Sequence, residues 1–197
     1  MISEAKAEII GLLCAEGNYY NKISSYWQFY KDRNKHYYMN NKRSVYIQFG
    51  NFDIRLLKKF QKLLLKEYNY SPKVEKDRVR ICKRFIINNL LNYSNYGCLN
   101  WKVPFGVMYN RKIIPMFLRG YFEGDGCFCK NKIVFSSCNL RGLKQIKKLL
   151  YKLNIKSTIQ GPFIRKNKKP SYFVYIKKES WKDFFRIIKP QFKSKPL

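Results

Sequence analysis

Two carboxylates in this chain stand where carboxylates are costly. Glu16 ends the run EIIGLLCAEG (Glu8–Gly17), and Asp125 ends LRGYFEGDG (Leu118–Gly126), each followed directly by glycine. Apolar residues recur at helical spacing in both runs (Leu118, Tyr121 and Phe122 in the second), so each acid sits at the end of a helix. An acid–glycine step there predicts a left-handed stop. The acid also faces the negative end of the helix dipole, a penalty of roughly 0.3–1 kcal/mol, and needs something positive beside it. Each helix carries two small residues four apart, Gly11 with Ala15 and Gly120 with Gly124. They share one helical face and let a second helix approach to backbone contact. Packed through those faces, the helices bring Glu16 and Asp125 together at one end. Two adjacent carboxylates repel unless protonated or bridged by cations, and hard divalent ions with oxygen ligands, Mg2+ above all, suit such a pair.

The two runs resemble the nine-residue motif of the LAGLIDADG homing endonucleases, in the single-chain form with two motif copies. Ile9–Gly17 and Leu118–Gly126 line up with that motif without gaps. The first acidic position of the motif is Cys14 in one copy and Glu123 in the other, a position the family does not need for metal binding. The resemblance implies an α/β (mixed α+β) fold of duplicated αββαββα halves about a pseudo-twofold axis. Two saddle-shaped antiparallel sheets would pack through the two motif helices. It further implies a monomeric, site-specific endonuclease that hydrolyses phosphodiesters in a long pseudo-palindromic DNA duplex and leaves 3′ overhangs. Two or more Mg2+ ions, with Mn2+ able to substitute, would be held by Glu16 and Asp125 with Ala15 and Gly124. A lysine two residues before a proline commonly precedes the second motif and is associated with the active site. Lys102 in WKVP matches it, and in IIKPQFKSKPL its counterpart is Lys195 by spacing from Pro190, with Lys193 as second choice. A glutamine near the end of the second strand, here Gln48, completes the implied catalytic set. The alternative is an RNA-binding intron maturase on the same fold, and a non-catalytic DNA-binding regulator is a third. The intact acid pair favours the nuclease, because an RNA chaperone has no need to crowd carboxylates.

Composition agrees with a polyanionic partner. The chain has 41 Lys+Arg against 12 Asp+Glu in 197 residues, a net charge of +29. Counterion release from phosphates is the usual driving force for so basic a protein. A hydrophobic content of 46% with 17% aromatics supports a packed core rather than a basic tail. No run of eighteen apolar residues and no signal-peptide core is present, so the expectation is a soluble protein with no membrane partner. It would work in a prokaryotic cytoplasm or nucleoid, archaeal by preference, or in an organelle. A chain with Met1 and no splicing-domain residues favours an intron-encoded protein over an intein. The six cysteines lack paired CxxC spacing and His36 is the single histidine, so all six thiols are read as reduced and most of them as structural.

The elements that must carry the acids follow in order. A helix at Ala5–Ala15 delivers Glu16, and Asn18–Lys31 alternates as a strand, with Ile23, Trp27 and Phe29 inward. Lys31–Arg43 reads as a charged hairpin loop and Ser44–Phe49 as the returning strand. Asn51 is placed to cap a helix with Leu56, Leu57, Phe60 and Leu64 as its stripe. A hairpin at Lys73–Lys83 and a helix at Phe85–Asn92 complete the unit. The second half repeats the plan: strands through Ser137, an Asn139-capped helix, a hairpin at Ser157–Lys177 and a helix at Glu179–Ile188. The acids lie 109 residues apart but the caps only 88, which assigns a 21-residue insertion to the first hairpin. The expected division is residues 1–98, a linker 99–113, and residues 114–197.

One face of an antiparallel sheet can remain open. The residues expected there are Lys22, Ser24, Tyr26, Gln28, Tyr46, Gln48, Arg78, Arg80, Lys130, Lys132 and Ser136. Amides, hydroxyls and cations of this kind suit base edges and phosphates in a major groove. A merely solvated face would include Glu and Asp.

Overall fold

The computed structural model describes residues 1–129 and 131–193; the expected roles of Lys130 and Lys195 therefore fall outside the described residues. In chain order the elements are α1 (Glu4–Glu16), β1 (Gly17–Tyr30), β2 (Lys35–Gly50), α2 (Ile54–Tyr68), β3 (Arg78–Ile81) and α3 (Arg84–Leu91). A short α4 (Phe105–Tyr109) leads into α5 (Ile114–Asp125), β4 (Gly126–Cys129), β5 (Lys132–Ser137), α6 (Leu140–Lys152), β6 (Ser157–Phe163), β7 (Ser171–Ile176) and α7 (Trp181–Ile188). Both sheets are antiparallel, in strand orders β1-β2-β3 and β4-β5-β7-β6. The result is a mixed α/β protein with two antiparallel sheets, as the motif pattern implies.

Helix α1 begins on Ser3, whose hydroxyl accepts the Lys6 amide, and every residue from Ala5 to Cys14 is buried. A helix buried all round belongs in the middle of a protein, and α1 packs against both α5 and α2. Its two buried charges are paired, Lys6 with Glu67 at 3.1 Å and Glu8 with Lys59. At the α1–α5 crossing a Cβ on Gly11 would collide with the Phe117 carbonyl, and one on Gly120 with the Glu8 carbonyl. Close approach therefore requires the glycines, as their spacing indicates. The expected left-handed stops do not form. Gly17 (φ −84°, ψ 148°) and Gly126 (φ −82°, ψ 158°) are extended, and each helix passes straight into a strand. Glycine is needed for space instead: a Cβ would strike the Leu13 carbonyl at the first site and the Phe122 ring at the second.

The first half departs from its expected plan in three places. The charged loop at Lys31–Arg43 is mostly strand, so β1 and β2 form a ribbon closed by a tight turn at Lys31–Arg33. Where Ser24 pairs Lys42 and Tyr26 pairs Met39, β2 carries one extra residue, with Asn41 left-handed at φ 48°. On both sides of this bulge, from about Ile23 outward, the two faces of the ribbon meet solvent. Ile23, Trp27 and Phe29, expected inward, are 66%, 67% and 44% exposed. Ring pairs across the ribbon (Trp27–Tyr38 at 5.3 Å, Phe29–His36 at 4.8 Å) support it instead of a core. The cap of α2 is Asp53, which accepts the Arg55 amide, while Asn51 accepts the Asp53 amide one step earlier. The expected second hairpin supplies a single strand, β3, plus an isolated Val74–Val79 bridge.

Closer to the acids the patterns hold. Ile47 and Phe49 on β2 pack with Leu56, Leu57, Phe60 and Leu64 of α2, and Asn139 caps α6 by accepting the Gly142 amide. Residues 99–113 contribute to the core: Trp101 is buried 4.9 Å from the Tyr121 ring, and its indole covers Gly142. All six thiols are free, but only Cys14 is buried, so a structural role suits that one alone. Cys127 and Cys129 lie on the outward positions of β4 and are exposed.

Candidate metal centre and nucleic-acid interface

The α1–α5 crossing fixes the acids. Gly124 rests on Ala15, so closely that a Cβ there would collide with the Ala15 Cβ and lie 3.2 Å from Glu16 Cγ. Glu16 and Asp125 each follow that contact by one residue and are side by side. Burial, and after it the charge of Glu16, push the Asp125 carboxyl up from its ordinary value to about 8, with the Lys193 ammonium opposing both. Burial also raises Glu16, again opposed by Lys193. The positive group that the dipole argument demands is thus Lys193, whose Nζ donates to the Gly124 carbonyl at 3.2 Å.

Other side chains close around the pair. Asn51 Nδ2 reaches Glu16 Oε1 at 3.5 Å, and Gln48 lines the same recess with Asn51, Phe52 and Asp77. Ser136 Oγ donates to the Asp125 carbonyl at 2.8 Å, and the Tyr121 hydroxyl donates to the Ser136 carbonyl at 2.9 Å. Ser136, expected to face a ligand, lines an open cleft and also braces Asp125. Lys102 is held by its backbone, its amide donating to Ser94 Oγ at 3.0 Å and its carbonyl accepting from it at 2.9 Å. Its side chain is exposed and forms no ion pair with either acid. Two clefts flank the centre, one lined by Asp125, Ser136, Arg165 and Lys168, the other by Glu16, Asn18 and Asn100, and both reach Ala15, Cys98 and Lys169.

The donor set fits hard divalent cations. The Lys193 ammonium offsets only one of the two carboxylates, and the pair can take up further positive charge from a divalent ion. Ala15 and Gly124 lie in last helical turns, whose carbonyls find no partner further along the helix. Among the described residues no cluster of three or more His, Cys, Asp or Glu side chains occurs. Coordination beyond these two carboxylates and two carbonyls would come from water and from a ligand's own oxygens.

The open faces lie on either side. Asn18, Gln48 and Arg80 stand in line across β1, β2 and β3, and Lys22 faces Ser44 while Ser24 faces Lys42. Tyr20 stacks on Tyr46 at 4.7 Å, and the Arg80 guanidinium covers Tyr46 at 5.3 Å. Lys22, Ser24 and Tyr26 are exposed and Gln28 partly so. The expectation of an acid-free face fails at its edge, where Arg78 pairs with Asp77 at 2.7 Å and Arg80 with Glu75 at 3.5 Å. In the second sheet Lys132 lies over the Tyr175 ring at 5.5 Å, and Thr158 and Gln160 are exposed in register with Tyr175 and Phe173. Period-two alternation in Ser157–Lys177 could have identified that pair. Lys169 and Asn51 carried no such signal, because a loop lysine among 41 basic residues and a cap-like asparagine read as ordinary.

Comparison with known proteins agrees with this geometry. A LAGLIDADG-like domain matches residues 113–189. No curated protein matches the chain. Among solved structures, I-DmoI in complex with DNA and Mn superposes with a TM-score of 0.65 at 15% identity, covering 97% of this chain and 99% of that one. The I-LtrWI LAGLIDADG homing endonuclease bound to target DNA gives 0.56 at 14%, covering 96% and 85%. The N-terminal LAGLIDADG domain of DUF199/WhiA gives 0.57 at 14%, covering 96% and 84%. No helix among the described residues is long and apolar enough to cross a membrane. The chain has the fold of the LAGLIDADG homing endonucleases, and its residues 113–189 match a LAGLIDADG-like domain.

Proposed function

We propose that the chain is a monomeric, metal-dependent DNA endonuclease that cuts both strands of a long, pseudo-palindromic site and leaves 3′ overhangs. One observation carries the reading: Glu16 and Asp125 are pressed together at the ends of α1 and α5, between two sheets with polar and basic open faces. Similar folds are seen with DNA and Mn, with Ca, and with Mg. The RNA-binding alternative finds no support among these relatives.

In this reading Glu16 and Asp125, with the Ala15 and Gly124 carbonyls, hold the divalent ions, with Mg2+ as the working ion. When bound, such ions activate water and stabilise the leaving oxygen of a phosphodiester. Lys193 supplies positive charge beside Asp125 that can offset charge building on a phosphate. Asn51 orients Glu16, and Gln48, which accepts from Arg80 at 3.4 Å, lines the same recess. Lys22, Ser24, Tyr26, Gln28, Tyr46, Arg78, Arg80 and Lys132 grip the duplex through many partial contacts, with DNA bending adding selectivity. Residues 1–98 and 114–197 act as the two half-site readers, joined by 99–113, in a prokaryotic cytoplasm or nucleoid or in an organelle.

The test is a cleavage-site selection with the purified chain, Mg2+ and a library of intronless host-gene duplexes. Discrete double-strand breaks with uniform 3′ overhangs establish the reading. Tight RNA binding without any cleavage would replace it.

A further inference from the structure

Lys193 has no helix or strand to hold it, yet it reaches the acid pair. The segment Pro190–Lys193 follows α7, which ends with Lys189 in the left-handed conformation at φ 52°. Two contacts pin it. Glu123, 1% exposed on α5, accepts the Gln191 amide and the Phe192 amide, the latter at 3.2 and 3.3 Å. The Phe192 ring lies across the other half of the molecule, 5.7 Å from the Arg55 guanidinium and 5.5 Å from the Lys59 ammonium on α2. A buried carboxylate is costly unless charge-assisted hydrogen bonds satisfy it, and a leucine would fill space at less cost. Glu123 is therefore placed for those two amides.

The first half has a counterpart. Cys14 occupies the same motif position as Glu123. Its Sγ lies 3.9 Å from the Lys102 carbonyl and 3.7 Å from Ser94 Oγ, the hydroxyl that also binds the Lys102 amide. In both halves this position holds the backbone of a lysine-bearing segment, through a carboxylate in one and a thiol–hydroxyl pair in the other. Different chemistry in one place argues for a shared task.

We propose that Glu123 and Phe192 are positioning residues, which tie Pro190–Lys193 across both halves and so fix Lys193 against the end of α5. The consequence for cleavage rests on the endonuclease reading; the anchoring itself does not. Glu123→Gln keeps the shape of the side chain but turns an NH2 group toward one of the two amides. Phe192→Ala loosens the same segment without touching the motif helix.

The test measures amide hydrogen exchange and strand-resolved cleavage of the selected duplex. In both variants the amides at positions 191 and 192 exchange at least ~10-fold faster while the α1 and α5 amides stay protected. Turnover falls about 10- to 100-fold with KM for DNA near wild type. In a Lys193→Ala background neither substitution slows cleavage further. Unchanged exchange at positions 191 and 192, or an equal additional loss in the Lys193→Ala background, overturns the proposal. A wild-type chain that cuts no duplex refutes the endonuclease reading, while the exchange data still decide whether Glu123 anchors the segment.

Discussion

Gly124 lies against Ala15, and that single contact sets the spacing of the two acids, because Glu16 and Asp125 each follow it by one residue. A Cβ on Gly124 has no room. Gly124→Val should separate the ends of α1 and α5 and lower stability by about 1–3 kcal/mol. The exchange variant Ala15→Gly/Gly124→Ala, which only moves the methyl group across the contact, should recover most of that loss. Thermal unfolding of the three proteins checks the relationship. Equal stability of Gly124→Val and wild type would refute it.

Burial and Glu16 hold the Asp125 carboxyl at about 8 in the metal-free fold, against about 4 in an unfolded chain. Between those values the folded state carries a proton that the unfolded state has lost, so stability falls as pH rises through the window. Asp125→Asn removes the effect and should stabilise the metal-free protein by up to about 5 kcal/mol at pH 8, with little change at pH 4. In the proposed metal-binding role, Mg2+ would compete with that same proton. Its thermal stabilisation of the wild type should be larger at pH 8.5 than at pH 6, and absent in Asp125→Asn at both.

Arg78 and Arg80 are paired with Asp77 and Glu75 at the edge of the first sheet. Glu75→Gln/Asp77→Asn frees two cations for phosphates. DNA affinity should rise, and the slope of log affinity against log salt should steepen by about one to two. Fluorescence anisotropy across a salt series reads both. An unchanged slope would mean that these arginines stay off the duplex.

The ribbon and the core should respond in opposite ways. Trp27 is 67% exposed, so Trp27→Ala should change stability by less than about 0.5 kcal/mol. Ile47, fully buried on the same sheet, should cost about 2–5 kcal/mol when cut to alanine. Denaturant titration of both variants checks the contrast.

Those two residues also show what a sequence can and cannot reveal. Ile47 and Trp27 carry the same period-two signal, but periodicity does not say whether a helix lies beneath the strand. The acid pair was legible because Gly11, Ala15, Gly120 and Gly124 encode a close helix crossing in residue size alone. The left-handed stops were misread because glycine marks two needs alike, an unusual φ and missing space; Gly17 and Gly126 serve the second. Linear spacing ranks Lys195 ahead of Lys193, and no pattern in IIKPQFKSKPL shows that Glu123 holds the amides just before Lys193; Lys195 itself lies outside the described residues.

The acid pair remains the central claim, and strand-resolved cleavage of the selected duplex with Mg2+ tests it most directly. Glu16→Gln and Asp125→Asn should each retain DNA binding while double-strand cleavage falls by at least ~100-fold. Cleavage of both strands at the wild-type rate by either variant would contradict the account.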